Sequence, residues 1–471
     1  MMNRNVVVVC LDTVRKDYFD RHASSLSLMS NVSFEQCRAA SSWSVPSHAS
    51  ILTGELPHKH DVHTYSPNFS QLAFENTFLA DLSDHRLIGV SANSYASQLF
   101  SFNKFFDDFS FISSSSRFPD ALSPSEFFHD SPDQTSNVAY LRQALSHQKP
   151  VRSIINGISR KVSNIFAKTP VPKPYDDGCS AVLRETTTRI QDGEEPFFAF
   201  VNLMDAHGPL QTIRQYDQTL LNVPNTFDSR DLDVLSINMN EEWSEHETEF
   251  GYYKDLYAAA IDYLDRRVSE FVTQIRDMTE RETTVLITSD HGEQLGNENP
   301  NRRFGHITPD LTEELLHVPL EVINPPEDGA IKSNELFSHL HLGELITSWA
   351  LGRDFEPDSR PVGAEVVGIG VSNIPYDHEQ FEHWDRTVRC VYADDGSKYV
   401  WDSNGNTDCS LVNGSPANME TKTPCQGRPE ACNRPPFLIP IEEFAKSARS
   451  ESQTVDIDER ARARLADLGY M

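Results

Sequence analysis

The chain reads as an α/β protein: a large domain on a mostly parallel sheet flanked by helices, followed by a small C-terminal α+β domain. Three observations carry that reading. Continuous β-branched apolar runs recur and stop at polar or acidic residues, helical patterns separate them, and the texture changes after about residue 375. A strand that is apolar without alternation is buried on both faces, as parallel strands between helix layers are.

The first such run is "NVVVVCLDTVRKD", which begins at Asn5. Similar runs follow at 86–93 ("RLIGVSAN"), 196–207 ("PFFAFVNLMDAH"), 283–292 ("TTVLITSDHG") and 317–325 ("HVPLEVINP"). The clearest helix spans 252–277, where Leu256, Ala260, Tyr263, Leu264 and Val268 form one apolar stripe. Residues 112–180 are rich in Ser and Pro and read as an insertion or lid over one edge of the sheet, inside a catalytic domain of residues 1–375. In the second domain, 376–471, "RTVRCVYADDGSKYVWD" predicts an antiparallel hairpin turning at Asp395-Gly396. A polar stretch at 403–436 and a helix toward "RARARLADLGYM" complete it, and no internal repeat is evident.

At 471 residues, with 38% hydrophobic and 24% charged residues, the composition is that of a soluble globular protein. The net charge of −29 disfavours nucleic acid and anionic lipid as general partners. Acid spread along the whole chain, with arginine outnumbering lysine, points to a halophilic source. There is no apolar span of membrane-crossing length and no leader-like segment ahead of "NVVVVCLD", so a cytoplasmic location is expected. The seven cysteines are an odd number, which fits that compartment. Cys10 reads as buried, and Cys409, Cys425 and Cys432 as mobile loop cysteines, with zinc or a disulfide as the alternative.

In an open α/β sheet ligands bind beyond the carboxyl ends of the strands. Four segments there carry polar side chains: Asp12, Ser44, Asp205 with His207, and Asp290 with His291, followed by His306. Singly, each has an ordinary explanation as a helix cap or a turn. Together, Asp12, Asp290 and His291 supply two carboxylates and an imidazole for one divalent cation, with Ser44 able to add a hydroxyl. In "SSWSVPSHASILTG", Pro46 suits the first turn of a helix and Gly54 its C-terminal end. A helix over 46–53 would aim backbone N–H groups and the positive end of its dipole at Ser44, favouring a nucleophile over a plain cap. His58, His60 and His63 fit no standard metal spacing, so one of them is expected at most to touch substrate; His339 and His341 read as structural.

Taken in order, "VVVVCLDTVRKDYF", "SVPSHASILTG", "LMDAHGPL", "TSDHGEQLG" and the Gly-His at 305–306 resemble the ordered motifs of the sulfatases, within the alkaline phosphatase superfamily. With the halophilic composition, the chain looks like a haloarchaeal sulfatase-like hydrolase. The resemblance implies an alkaline phosphatase-like sandwich and metal positions at Asp12, Ser44, Asp290 and His291. It implies one divalent ion, calcium by family likeness, with manganese, magnesium or zinc as alternatives. Ser44 matches the catalytic position, where the family oxidises Cys or Ser to formylglycine; its hydrated aldehyde attacks sulfur and later expels sulfate. His207 and His306 match positions that contact ester oxygens or protonate the leaving group, His48 falls within the substrate-binding signature, and Arg15 matches a motif arginine near the metal.

Two positions depart from the pattern: Thr13 stands where the family has a second aspartate, and His48 where its signature has arginine. A lysine–histidine pair for gripping sulfate has no match. The expected activity is metal-dependent hydrolysis of sulfate esters, on a small-molecule or glycan substrate, by a Ser44-derived nucleophile. The alternative is a phosphodiesterase or phosphotransferase that uses unmodified Ser44 through a phosphoryl-enzyme. A sulfatase-fold binding protein without activity is the third reading.

Overall fold

The computed structural model describes residues 3–450, apart from 113–116, 125–126, 128–135, 167–168, 170, 299–301, 327–330, 356–360, 370–379, 394, 413–419 and 424–435. Asn5–Leu11 (β1) lies at the centre of the larger sheet. Val7, Val9 and Leu11 enter one apolar cluster, and Val6, Val8 and Cys10 enter the cluster on the opposite face. None of these six is more than 1% exposed, so the unbroken apolar run is what this position demands.

The other strands of the large domain are Val32–Arg38 (β2), Arg86–Ser91 (β3), Asp108–Phe111 (β4), Phe197–Leu203 (β5) and Thr283–Thr288 (β6). A two-residue pair, Gln294–Leu295 (β7) with Phe304–Gly305 (β8), precedes Leu320–Ile323 (β9) and Ile331–Ser338 (β10). The eight-stranded sheet runs β10-β2-β9-β6-β1-β5-β3-β4, and only β9 is antiparallel to its neighbours. Its register sets Leu11 against Leu203, Cys10 against Thr288, and Ser91 against Asn202. The carboxyl ends of β6, β1, β5 and β3 are therefore consecutive along one edge.

The helix expected over 252–277 runs from Glu247 to Met278, and all five residues of its predicted stripe are buried. The opposite sheet face is covered by the helices Ser44–Thr53 and Leu342–Ala350. The segment between β4 and β5 contains the helices Asn137–Ser146, Pro150–Phe166 and Cys179–Gln191, and it leaves the sheet at its outermost strand.

A five-stranded antiparallel sheet forms the C-terminal part: Gly363–Val367 (β11), Thr387–Tyr392 (β12), Ser397–Asp402 (β13), Thr407–Val412 (β14) and Glu420–Thr423 (β15). β12 and β13 pair as the hairpin expected at Asp395-Gly396, with Gly396 at φ +81°. The first strand of this sheet lies upstream of residue 375, because Gly363–Val367 pairs edge to edge with β12. Cys409 corrects the reading of mobile loop cysteines: it lies buried on β14 and is disulfide-bonded. Cys425, Cys432 and the expected terminal helix fall outside the described residues.

Buried charge joins the two sheets. Glu313, fully buried, meets Arg38 from the end of β2 at 2.7 Å and Lys398 from β13 at 2.9 Å, and it accepts a hydrogen bond from the Tyr392 hydroxyl at 2.6 Å. The Lys398 ammonium also donates to the Leu311 carbonyl at 2.5 Å. The two cations hold the Glu313 carboxyl well below its ordinary pKa despite burial. Replacing Glu313 by Gln leaves two buried cations facing a neutral amide. The loss expected is about 3–5 kcal/mol of folding free energy, measured by urea denaturation.

Candidate active site and metal centre

The site is assembled from three strand ends and one helix start. β1 ends at Leu11 and delivers Asp12; β6 ends at Thr288 and delivers Asp290 and His291; β3 ends at Ser91 and delivers Asn93 two residues on. The helix Ser44–Thr53 begins beside them. It starts earlier than the expected 46–53, so Ser44 is its first residue and Trp43 its N-cap, while Gly54 closes it in the left-handed region as anticipated.

Ser44 and the three expected metal ligands come together. Asp12, Asp290 and His291 are fully buried, and one ligand atom from each lies within 4.8 Å of the others. The Ser44 hydroxyl is 3.4 Å from His291 Nε2 and accepts a hydrogen bond from Asn93 Nδ2 at 3.0 Å. Asn93 Nδ2 also donates to Asp12 Oδ2 at 2.7 Å, so one amide aligns both nucleophile and ligand.

The donor set fits a divalent cation. Asp12 Oδ1 and Asp290 Oδ2 are buried with no hydrogen-bond partner. A buried carboxylate oxygen left that way is costly unless a cation meets it. Burial, and then the charge of Asp290, push the Asp12 pKa well up, as expected for two acids sharing a site without a counter-charge. His291 Nδ1 is held against the Gly292 carbonyl at 2.8 Å, and burial lowers its pKa. A neutral ring anchored through Nδ1 presents the Nε2 lone pair, which is the form that ligates metals. Thr13 adds no donor, because its hydroxyl donates to the Asp12 carbonyl at 2.6 Å.

The turn that carries Asp12 is pinned from three sides. Thr13 has φ +64°, an unfavourable region for a β-branched residue. The Tyr257 hydroxyl donates to its carbonyl at 2.6 Å, and the Val14 N–H donates to Ser289 Oγ at 2.9 Å. The Thr13 N–H reaches Asp290 Oδ1 at 3.4 Å.

His207 and His306 also reach the site, with ring centroids 5.0 Å apart, and the His306 ring lies 4.6 Å from that of His291. His207 Nδ1 is hydrogen-bonded to the Gly208 carbonyl. His306 Nδ1 contacts both Glu293 carboxylate oxygens, at 3.0 and 3.2 Å. Burial lowers the His207 pKa to about 3 and the His306 pKa to about 4, and raises that of Glu293 to about 7. Asp205 stands apart from this group, accepting hydrogen bonds from the N–H groups of Asp177 and Cys179.

Arg15 and His48 both make specific contacts within the protein. Arg15 does not offer its charge outward: the guanidinium pairs with Asp17 at 2.8 Å and Glu314 at 3.0 Å, and donates to the Glu293 carbonyl. Two carboxylates neutralise it, which makes it a brace behind the site. His48 is buried beside the first turn of the Ser44–Thr53 helix. Its Nδ1 lies 2.6 Å from the Ser44 carbonyl, one helical turn back, and its ring packs edge-on against Phe102 and Phe200. His58, His60 and His63 are likewise committed, to Glu365, Ser50 and Asp61, and His339 is bound to Thr288.

Sequence reasoning missed Asn93, Glu293 and Asn202. Asn93 lies two residues beyond the end of β3 and Glu293 five beyond that of β6, the one signal available for them. Asn202 is inside β5, and its amide reaches His48 Nε2 at 3.4 Å. Nothing in the sequence distinguishes it from a polar interruption of the strand.

A family model described as Sulfatase matches residues 4–352. No curated protein sequence matches the chain. Among solved structures, the chain is similar to a protein determined in complex with its substrate D-glucosamine-2-N,6-O-disulfate, at 13% identity and TM-score 0.57, over 99% of this chain and 98% of that one. The phosphonate monoester hydrolase of Agrobacterium radiobacter also aligns at 13% identity and TM-score 0.57, over 96% of both chains. That of Silicibacter pomeroyi aligns at 15% identity and TM-score 0.56, over 98% and 95%.

The orphaned oxygens set an expected outcome for metal removal. Saturating calcium or manganese, at about 100 times its dissociation constant, stabilises the wild type by about 2.7 kcal/mol, and chelator reverses this. Asp290→Asn abolishes the difference. Melting curves with and without chelator check both statements, and identical curves for the wild type would refute the cation site.

Proposed function

Because the chain belongs to the sulfatase family, we propose that it hydrolyses sulfate esters with a nucleophile derived from Ser44, on a divalent cation held by Asp12, Asp290 and His291. One observation carries the reading: Ser44 Oγ, at a helix N-terminus, adjoins two buried carboxylates that each keep an unpartnered oxygen. The cation, when bound, supplies positive charge that lowers the pKa of the attacking hydroxyl and neutralises the ester oxygens.

The protein's own groups do the rest. Asn93 donates to Ser44 Oγ and holds it toward the ligand cluster. The first backbone N–H groups of the Ser44–Thr53 helix have no partner within the helix and favour an anion beside it. As the new bond to sulfur forms, the bond from sulfur to the ester oxygen breaks, and the leaving oxygen takes a proton. His306, with Glu293 behind it at 3.0 Å, is the group we assign to that transfer, with His207 contacting the ester oxygens. Burial raises the Glu293 carboxyl to about 7, and it shares a hydrogen bond with His306 Nδ1.

A second reading has a specific observation in its favour. His48 occupies the signature's arginine position and turns back onto the Ser44 carbonyl. If Ser44 stays a serine, its hydroxyl attacks phosphorus and forms a phosphoryl-enzyme, and the substrate is a phosphate or phosphonate ester. Similarity to phosphonate monoester hydrolases as well as to a sulfated-sugar complex leaves both ester classes within reach of this fold. A small-molecule or glycan ester fits either reading.

Mass spectrometry of the peptide spanning residues 38–59 separates them. Loss of two hydrogens at Ser44, together with turnover of 4-nitrophenyl sulfate, supports the first. An unmodified serine with turnover of phosphate or phosphonate esters alone replaces it by the second. Ser44→Ala is expected to lower kcat by about 10⁴-fold or more, as loss of a nucleophile does. Unchanged turnover in that variant would remove Ser44 from the chemistry altogether.

A further inference from the structure

The paired helices Asn137–Ser146 and Pro150–Phe166 are built with their apolar side outward. Val138, Leu141 and Leu145 are exposed on the first, and Val151, Ile155 and Ile158 on the second. The spacings i, i+3, i+7 and i, i+4, i+7 put each set on one face of its helix. Val138 and Val151 are 67% and 68% exposed, so these residues are not rims of a core.

Apart from Ile154, which packs against Phe127, Tyr140 and Ala144, what the second helix turns inward is polar. Ser153, Asn156 and Ser159 face inward. Ser153 Oγ accepts from the Leu122 N–H at 3.1 Å, Asn156 bonds both the N–H and the carbonyl of Phe118, and the Tyr175 hydroxyl donates to the Ser159 carbonyl. The inner side is thus fixed largely by hydrogen bonds to flanking loops, and the apolar side has no partner among the described residues.

The charge of this segment is opposite to that of the protein. Between residues 134 and 175 lie seven lysines and arginines and no aspartate or glutamate, in a chain whose net charge is −29. Lys149 and Arg152 share Asp120 from the preceding loop, Lys173 is buried against Asp177, and Arg142 is exposed. Local reversal of charge beside a helix face of exposed Val, Leu and Ile is the composition of a surface that lies in an anionic lipid interface.

We propose that this helical pair docks peripherally on a membrane carrying anionic headgroups, with Val138, Leu141, Leu145, Val151, Ile155 and Ile158 entering the headgroup boundary. It does not span the bilayer: among the described residues no helix is long and apolar enough to cross a membrane. The chain leaving the pair returns to the carboxyl end of β5, where Arg117 pairs with Asp176 at 2.8 Å and the Asp177 N–H donates to Asp205 at 3.0 Å. The docking face is therefore tethered to the end of the sheet that carries the candidate site, which suits an ester presented at a membrane. The surface itself is independent of the chemistry at Ser44.

Sedimentation of the full chain with vesicles tests it, using phosphatidylcholine alone and an equal mixture of phosphatidylcholine and phosphatidylglycerol. At least about ten-fold more protein is expected to pellet with the anionic vesicles, with a loss of similar size in an Ile155→Asp/Ile158→Asp variant of unchanged melting temperature. If that variant fails to fold, Arg142→Glu with Leu145→Asp replaces it. Three results overturn the proposal. The wild type could stay in the supernatant with both vesicles, or the variants could bind as the wild type does. The third is a wild-type dimer that the same variants dissociate, which would mean that a second copy covers this face.

Discussion

Asp12 and Asp290 are buried side by side with one oxygen each left unpartnered, and much of the surrounding structure exists to hold them so. Two carboxylates removed from water repel each other and are far from the hydration they lose. Only adjacent strand ends could bring them together: β1 and β6 are neighbours, paired in register up to Cys10 and Thr288. The strained Thr13, the Tyr257 hydroxyl and the Ser289 side chain then fix the turn against its own conformational preference. Such strain persists where the surroundings over-determine a geometry that function requires. Even the braced Arg15 belongs to this scheme, since it ties the start of the turn to Glu314 and to the Glu293 carbonyl.

How much of this was legible in the sequence follows from where burial writes a pattern. β1, β3, β5 and β6 are buried on both faces, so they read as continuous apolar runs and were found. β2, β4 and β10 are interrupted by charged or polar residues, as in "VSFEQCR" and "IKSNELFS", and escaped notice. Two of them, β4 and β10, are the outer strands of the sheet, where one flank is unpaired and continuous burial is not required. The metal ligands were legible because acids at strand ends have few other reasons to recur. Asn93 was not, because a lone asparagine after a strand reads as a turn residue until a partner 49 positions away is known to lie 3.0 Å from it.

Arg15 and His48 show how much of a side chain's surroundings residue type and position leave out. Arg15 sits beside the site in sequence and in space, yet its role is decided by Asp17 and Glu314, one of them 299 residues distant. A cation already paired with two acids has little field left for a substrate. His48 is similar. Its place in the motif suggests a substrate contact; its ring packs against Phe102 and Phe200, and its Nδ1 lies against the Ser44 carbonyl.

Charge is sorted across this molecule, and that limits what its sum conveys. A net −29 describes the average surface and argues against anionic partners as a rule. In the interior, by contrast, Glu313 with Arg38 and Lys398, and Glu365 with Arg389, form compact ion clusters whose charges are spent on holding the second sheet in place. The sequence from 134 to 175 has basic and no acidic residues, and the described outward faces of its two helices are apolar. Fields fall off over roughly a Debye length, about 10 Å at 0.1 M salt, so a surface responds to its own neighbourhood and not to the total. An acidic protein can therefore keep one basic, apolar face that behaves oppositely to the rest. Spatial segregation along the chain, rather than composition, is what permits it.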